Sequence, residues 1–156
     1  MVPDQRTVYV VDDDPEMRAS LPLMLHSAGV RGEAFASAED FLDRYVDGGV
    51  FPQCLVLDVR LPGMSGLGLQ ERLSTIEINI PTIILTGYAD IPMAVQAVRS
   101  GAVDFLEKPV RRQLLLERIQ QAFDRDAQNR YEQKRRAAMK ARSASLSKRE
   151  REVMDL

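Results

Sequence analysis

The sequence predicts an α/β fold: a doubly wound, five-stranded parallel sheet covered by helices on both faces and followed by a long C-terminal helix or linker. Three observations carry this expectation. Short apolar, β-branched runs recur along the chain, helix-period segments separate each run from the next, and polar residues gather where the runs end. Parallel strands need crossover connections, which are nearly always right-handed, so alternation of this kind places helices on both faces.

Taken in order, Thr7–Val11 is an apolar first strand, and Asp14 before Pro15 marks an N-cap with proline at the first helical position. The helix it opens is expected over Pro15–Ala28, with Met17, Leu21, Met24 and Leu25 at helical spacing and Gly29 as its closing glycine. A weaker strand near Gly32–Ala36 leads to a helix over Ala38–Tyr45. Gln53–Leu57 is the third strand, with Gly66–Ser74 helical after it. Thr82–Leu85 is the fourth strand, followed by a helix over Ile91–Ser100 that Gly101 ends. Val103–Leu106 is the fifth strand. The helix from Arg111 to Gln128 then offers Leu115, Ile119, Ala122 and Phe123 as an apolar face for the sheet. Beyond it, NRYEQKRRAAMKARSAS is polar, basic and weakly periodic, and either extends the helix as a solvated linker or frays, since a helix without a buried face is marginal in water.

The 156 residues leave room for one compact domain of about 100–150 residues and an appendage. Apolar residues at 45% and charged residues at 28% fit a globular chain and exclude a disordered one. The net charge of -2 hides an asymmetry, because residues 1–110 sum to -8 and residues 111–156 to +6. With neither a leader-like N-terminus nor an apolar run of about 18 residues, a cytoplasmic chain without membrane partners is expected. Cys54 is the single cysteine, which excludes an internal disulfide, and its apolar setting reads as inert strand core. His26 falls in the first helix, away from the strand ends, and reads as a surface residue.

In a doubly wound sheet, ligands bind beyond the carboxyl ends of the strands. Here the first strand ends in Asp12-Asp13-Asp14, the third in Asp58, the fourth in Thr86-Gly87 and the fifth in Lys108-Pro109. Each has an ordinary structural explanation in capping, turn formation or an exposed loop lysine. Their conjunction at one edge of one sheet points instead to a hard divalent cation and a phosphoryl group. Crowded carboxylates repel one another and an oxygen-seeking cation relieves that repulsion. Lys108 and Thr86 would serve the oxygens of a transferring phosphoryl group, with a carboxylate as the attacking atom.

The stretches VVDDDPEMR, LVLDVRLPGMSGLGLQERL, PTIILTGYADIPMAVQAVRSGAVDFLEKP and SLSKREREVMDL resemble a response-regulator receiver of the FixJ type, running into the opening of a LuxR-type helix-turn-helix domain. The resemblance implies a flavodoxin-like sheet of order 2-1-3-4-5. It implies that Asp58 is the phosphoacceptor and that Asp12, Asp13, Asp58 and the backbone carbonyl of Arg60 bind Mg²⁺ or Mn²⁺. It makes Thr86 and Phe105 the switch pair, puts Lys108 on the phosphoryl group, and allows a cis bond to Pro109. It further implies a sensor histidine kinase as partner, docking around Leu21 and Met24, and a phosphorylation-dependent homodimer to which Met93, Ala94 and Val103 contribute. The expected organisation is a receiver over 1–125, a helical linker over 126–145, and the truncated first helix of a helix-turn-helix domain over 146–156, with Ser147 as N-cap and Glu150 completing a capping box. DNA would be reached only through the rest of that output domain. The receiver would not be an enzyme beyond its own phosphorylation and weak dephosphorylation. Competing readings are a Mg²⁺-dependent phosphatase with an aspartate nucleophile, and a pseudo-receiver that only dimerises.

Overall fold

The computed structural model describes residues 6–46 and 51–154, with side chains described through residue 143. Five strands alternate with five helices: β1 Thr7–Val11, α1 Pro15–Ser27, β2 Arg31–Phe35, α2 Ala38–Arg44, β3 Gln53–Leu57, α3 Gly66–Thr75, β4 Thr82–Thr86, α4 Ile91–Arg99, β5 Asp104–Glu107 and α5 Arg112–Met154. All strand pairings are parallel and the spatial order is β2-β1-β3-β4-β5. The expected architecture and strand order are both present.

Strand alternation divides the core. Tyr9, Val11, Leu55, Leu57 and Ile84 face one side, where Phe41 of α2, Leu69 and Leu73 of α3 and Ala97 of α4 cover them. Val8, Val10, Cys54, Val56, Ile83 and Leu85 face the other, against Leu21 and Leu25 of α1 and Leu115, Ile119, Ala122 and Phe123 of α5. Because β1, β3 and β4 are covered on both faces, every residue in them is buried, which is why they read as unbroken apolar runs. Edge strands β2 and β5 are only partly buried and carry polar residues.

Side-chain caps start the helices. Asp14, Ser37, Ser65 and Asp90 each accept a hydrogen bond from a backbone N–H in the first turn that follows. These caps stand between the strand-end loops and the helices, so they fix where each loop ends. Gly29 and Gly101 adopt φ of 79° and 94°, the left-handed conformation that ends a helix cheaply only at glycine.

The expected long C-terminal helix is present as α5, which continues unbroken from Arg112 to Met154 and so takes the extended of the two readings beyond Gln128. Its first turns bury Leu115, Ile119, Ala122, Phe123 and Asp126, whereas almost every side chain from Ala127 to Ser143 is exposed. The reading of Ser147 and Glu150 as a capping box concerns side chains outside the described residues. Among the described residues, no helix is long and apolar enough to cross a membrane.

Candidate functional site

The site is assembled by backbone bonds before any side chain acts. The Asp58 N–H donates to the Val11 carbonyl at 3.0 Å, that of Asp12 to the Phe35 carbonyl at 3.1 Å, and that of Lys108 to the Thr86 carbonyl at 2.8 Å. These continue the β1–β3, β1–β2 and β4–β5 ladders one residue past the strands. Residues from three parts of the chain therefore reach the same edge in register.

The acidic residues meet there. Asp12, Asp13 and Asp58 can each offer a carboxylate oxygen within 4.8 Å of the others. Asp12 and Asp58 are buried at 3% and 8% exposure, whereas Asp13 is exposed. Lys108 Nζ donates to Asp12 Oδ2 at 2.6 Å and to Asp58 Oδ2 at 3.0 Å. The second oxygen of each buried carboxylate is also held: Asp12 Oδ1 accepts from the Asp14 N–H at 3.0 Å, and Asp58 Oδ1 from the Arg60 N–H at 3.1 Å. Three carboxylates against one ammonium leave the cluster negative.

That imbalance has the expected electrostatic consequences. Burial raises the Asp12 carboxyl above its ordinary value, although the Lys108 and Asp14 hydrogen bonds act against the rise. Burial works to lower the Lys108 ammonium, but its bonds to Asp12 and Asp58 outweigh this and hold it above its ordinary value. Lys108 therefore stays charged. All-oxygen donors with excess negative charge, one of them open to solvent, suit a hard divalent cation that keeps some of its waters.

Thr86 ends β4 fully buried, and its hydroxyl accepts from the Tyr88 N–H at 3.4 Å. The Lys108–Pro109 peptide is cis. Phe105 is half-buried and packs with Met93 against the α2–α3–α4 side of the core. Met93, Ala94 and Val103 are likewise half-buried, and the exposed apolar residues of α4 are Ile91, Val95 and Val98. Leu21 is buried and His26 exposed. Burial raises the Cys54 thiol, which is wholly enclosed.

Three contributors went unread in the sequence. Arg18 donates from α1 to the Asp12 carbonyl at 3.0 Å, steadying the acidic loop from behind. The Arg60 guanidinium lies over the Tyr88 ring, 4.1 Å from its centre, a cation–π contact between the loops that follow Asp58 and Thr86. Gly66 is the third: a Cβ there would sit 2.2 Å from the Asp58 carbonyl oxygen, so only glycine lets α3 start against the Asp58–Val59 backbone. A glycine-rich PGMSGLG stretch was the only available signal, and it does not say which glycine is pressed.

The response regulator receiver domain family model matches residues 8–120. Nodulation protein W of Bradyrhizobium diazoefficiens is 46% identical over 149 residues, 96% of this chain and 65% of that protein. The transcriptional regulatory protein FixJ of Azorhizobium caulinodans is 38% identical over 156 residues, 99% of this chain and 72% of that one. The chain thus spans roughly two thirds of the length of these relatives. Among solved structures, the response regulator StyR superposes with a TM-score of 0.84 at 41% identity, covering 91% of this chain and 71% of that one. FixJ-N superposes at 0.70 and 43% identity, covering 77% and 94%. These likenesses favour a receiver over an aspartate-nucleophile phosphatase or a pseudo-receiver. With the acidic edge already in place on a 2-1-3-4-5 sheet, they establish that the chain belongs to the response-regulator receiver family of two-component signalling.

Proposed function

We propose that Asp58 is the phosphoacceptor of this chain. The observation that carries the reading is the position of Lys108, whose ammonium bridges Asp12 and Asp58 inside a three-carboxylate cluster. Asp58 has one oxygen on the Arg60 N–H and the other on Lys108. An Asp58 oxygen attacks phosphorus in line, an O–P bond forms, and the bond to the donor's phosphohistidine nitrogen breaks, with its electron pair leaving on the imidazole. Lys108 then shifts its hydrogen bonding from carboxylate to phosphoryl oxygen, and the Thr86 hydroxyl donates to another. Mg²⁺ or Mn²⁺, held by Asp12, Asp13, Asp58 and the Arg60 carbonyl, would supply the remaining positive charge on the phosphoryl oxygens. The same groups give the chain autophosphorylation by small donors and weak dephosphorylation.

Relocation of Thr86 toward the phosphoryl group frees space beside Phe105, which reports the switch by burial because it lacks a phenol oxygen. The α4–β5 face then pairs two chains, with Met93, Ala94 and Val103 in its half-buried part and Ile91, Val95 and Val98 as its exposed apolar surface. A groove between α1 and the β5–α5 loop, lined by Met17, Leu21, Met24, Lys108, Pro109 and Val110, suits a sensor histidine kinase helix next to Asp58. In the cytoplasm, residues 1–125 serve as receiver, 126–145 as helical linker, and 146–156 as the opening of a DNA-binding output domain.

The test is intact mass after adding Mg²⁺ and acetyl phosphate. A gain of one phosphoryl group (about 80 Da), absent without Mg²⁺ and absent in Asp58→Asn, is expected because transfer depends on charge neutralisation at the acceptor. No gain in the wild type would overturn the assignment and leave a pseudo-receiver.

A further inference from the structure

We propose that the cleft between the C-terminal ends of α3 and α4, at the edge of the sheet opposite Asp58, binds a small organic cation bearing N–H donors: a guanidinium or primary ammonium group. The cleft has a volume of about 330 Å³, and its polar lining includes Gln70, Ser74, Glu77, Asn79, Thr82 and Ser100. Three features favour such an occupant.

Gln70 is 6% exposed, and its Oε1 is buried without a hydrogen-bond partner. A buried acceptor left unpaired costs about 1–3 kcal/mol, so it favours any occupant that brings a donor. Glu77 is the single charged residue among the lining, which gives the cleft a negative charge. Arg72 and Arg99, the basic residues nearest in sequence, are exposed and are not among the lining residues. Two helix C-termini border the space, α3 through its C-cap Ile76 next to Glu77 and α4 through its C-cap Ser100, and both present the negative end of the helix dipole. Glu77 holds φ of 61°, a left-handed conformation that glycine would adopt without strain. It is the residue that closes the α3 turn, where its N–H donates to the Ser74 carbonyl at 3.2 Å and that of Ile78 to the Leu73 carbonyl at 2.9 Å.

One bridging water needs only about 10–15 Å³. The space instead accommodates a planar group of several heavy atoms, which can give one N–H to Gln70 Oε1 and another to Glu77. Ser100 follows α4 directly, so an occupant would touch the helix whose other end follows the Thr86 loop.

The experiment is a titration of the ¹⁵N-labelled full chain with methylguanidinium, with neutral N-methylurea as control. Saturable shifts of the backbone amides at Ser74, Glu77–Ile80 and Ser100–Gly101 are expected with methylguanidinium alone. Glu77→Gly removes the charge while relaxing the backbone, so it should fold, and it is expected to weaken binding at least tenfold. Gln70→Met should do the same without changing net charge. A peptide with one internal arginine distinguishes the source. Tighter binding than methylguanidinium assigns the occupant to a partner's side chain, and exclusion of the peptide assigns it to a free cation; either result upholds the site. Equal response to N-methylurea, no saturable shift, or unchanged binding in both variants would overturn it. None of these readings depends on phosphorylation of Asp58.

Discussion

Strand β3 carries a buried carboxylate network at each end, and the two differ in a way that separates chemistry from architecture. At its C-terminal end, Asp12, Asp13 and Asp58 share Lys108, an excess of negative charge with one member exposed. At its N-terminal end, Asp126 of α5 is 1% exposed and closed on itself. Its Oδ2 accepts from the Gln53 N–H and from Arg130 Nε, both at 2.7 Å. Arg130 also donates to Gln53 Oε1 at 3.0 Å, and Tyr45 donates to the same oxygen at 2.5 Å. Among the described residues, the Asp126 carboxylate is matched there by the Arg130 guanidinium. Burial of an aspartate is therefore common to both ends, and what distinguishes the C-terminal one is an excess of carboxylates over cations with one member facing solvent.

The sharpest way to break this comparison is to remove Asp126. Asp126→Ala strands the Gln53 N–H and takes the Asp126 carboxylate from a largely buried Arg130 at once. Breaking a buried pair from one side costs about 3–5 kcal/mol, and denaturant unfolding at neutral pH should read a loss in that range. Phosphorylation of the folded fraction should be unchanged, because the lost contacts lie at the far edge of the sheet. Asp126→Asn, which keeps an acceptor for Gln53, should lose clearly less. A loss below about 1 kcal/mol in the alanine variant would place this network with ordinary surface pairs.

The two ends were also unequally legible. The acidic edge could be read because its residues stand where apolar strands end, and because the sheet class says where such ends converge. Asp126 could not. It stands three residues after Phe123 on the face that α5 buries, where periodicity alone treats it as the edge of an apolar stripe, and its partner Gln53 is 73 residues away. Its spacing to Arg130, one helical turn, was the available signal. The sheet order came from the family resemblance, since a hydrophobic period does not say which strands are neighbours. Both core faces and the N-cap at Asp14 were legible for the same reason as the site, because period and local chemistry specify them. The length of α5 was not. From Ala127 to Ser143 it has almost no buried face, so nothing in its apolar pattern separates a helix from a frayed end. Gly66 was hidden differently, because its requirement comes from a backbone approach that only the folded chain creates.

Gly66 gives the next largest effect and joins the two properties that the comparison separates. In Gly66→Ala the new methyl must displace the Asp58–Val59 backbone, since it would meet backbone atoms at 2.2 to 2.9 Å. Overpacking of this kind costs about 1–3 kcal/mol. The same shift moves Asp58, the proposed phosphoacceptor, and a displacement near 1 Å can cost about a hundredfold in rate. The phosphorylation rate with acetyl phosphate should therefore fall far more than the folded fraction does, the opposite of Asp126→Ala. Equal losses in the two would mean that Asp58 is not held by this contact.

A smaller effect of opposite sign is expected at Asp12. Its carboxyl is raised in the folded chain by burial, so the folded state holds the proton more tightly than the unfolded state. The associated stability is fully present below the ordinary value of 3.8 and is lost as pH rises through the raised one. At neutral pH without metal, ionised Asp12 is thus a net cost. Asp12→Asn should raise the melting temperature of the metal-free protein by a few degrees, while Mg²⁺ should stabilise the wild type and not the variant. Destabilisation by Asp12→Asn in the absence of metal would show that the Lys108 pair outweighs the burial.

The smallest effect tests whether a carboxylate near the site can be purely architectural. Glu39 of α2 is exposed and accepts from the Met64 N–H at 2.6 Å, bridging to the loop between Asp58 and α3. That bond, first among its causes, holds the carboxyl below its ordinary value of 4.5. A depressed carboxyl stabilises the folded chain above the unfolded value, and that contribution disappears as pH falls through the folded one. Glu39→Gln should therefore melt slightly below the wild type at neutral pH, and the two melting curves should converge in acid. The phosphorylation rate should be unaffected, because Glu39 orders the loop backbone without adding to the charge shared by Asp12, Asp13 and Asp58. A pH-independent gap between the two proteins would instead assign Glu39 a role through packing of its stem, and the exposed end of α2 would drop out of the electrostatic contrast between the two ends of β3.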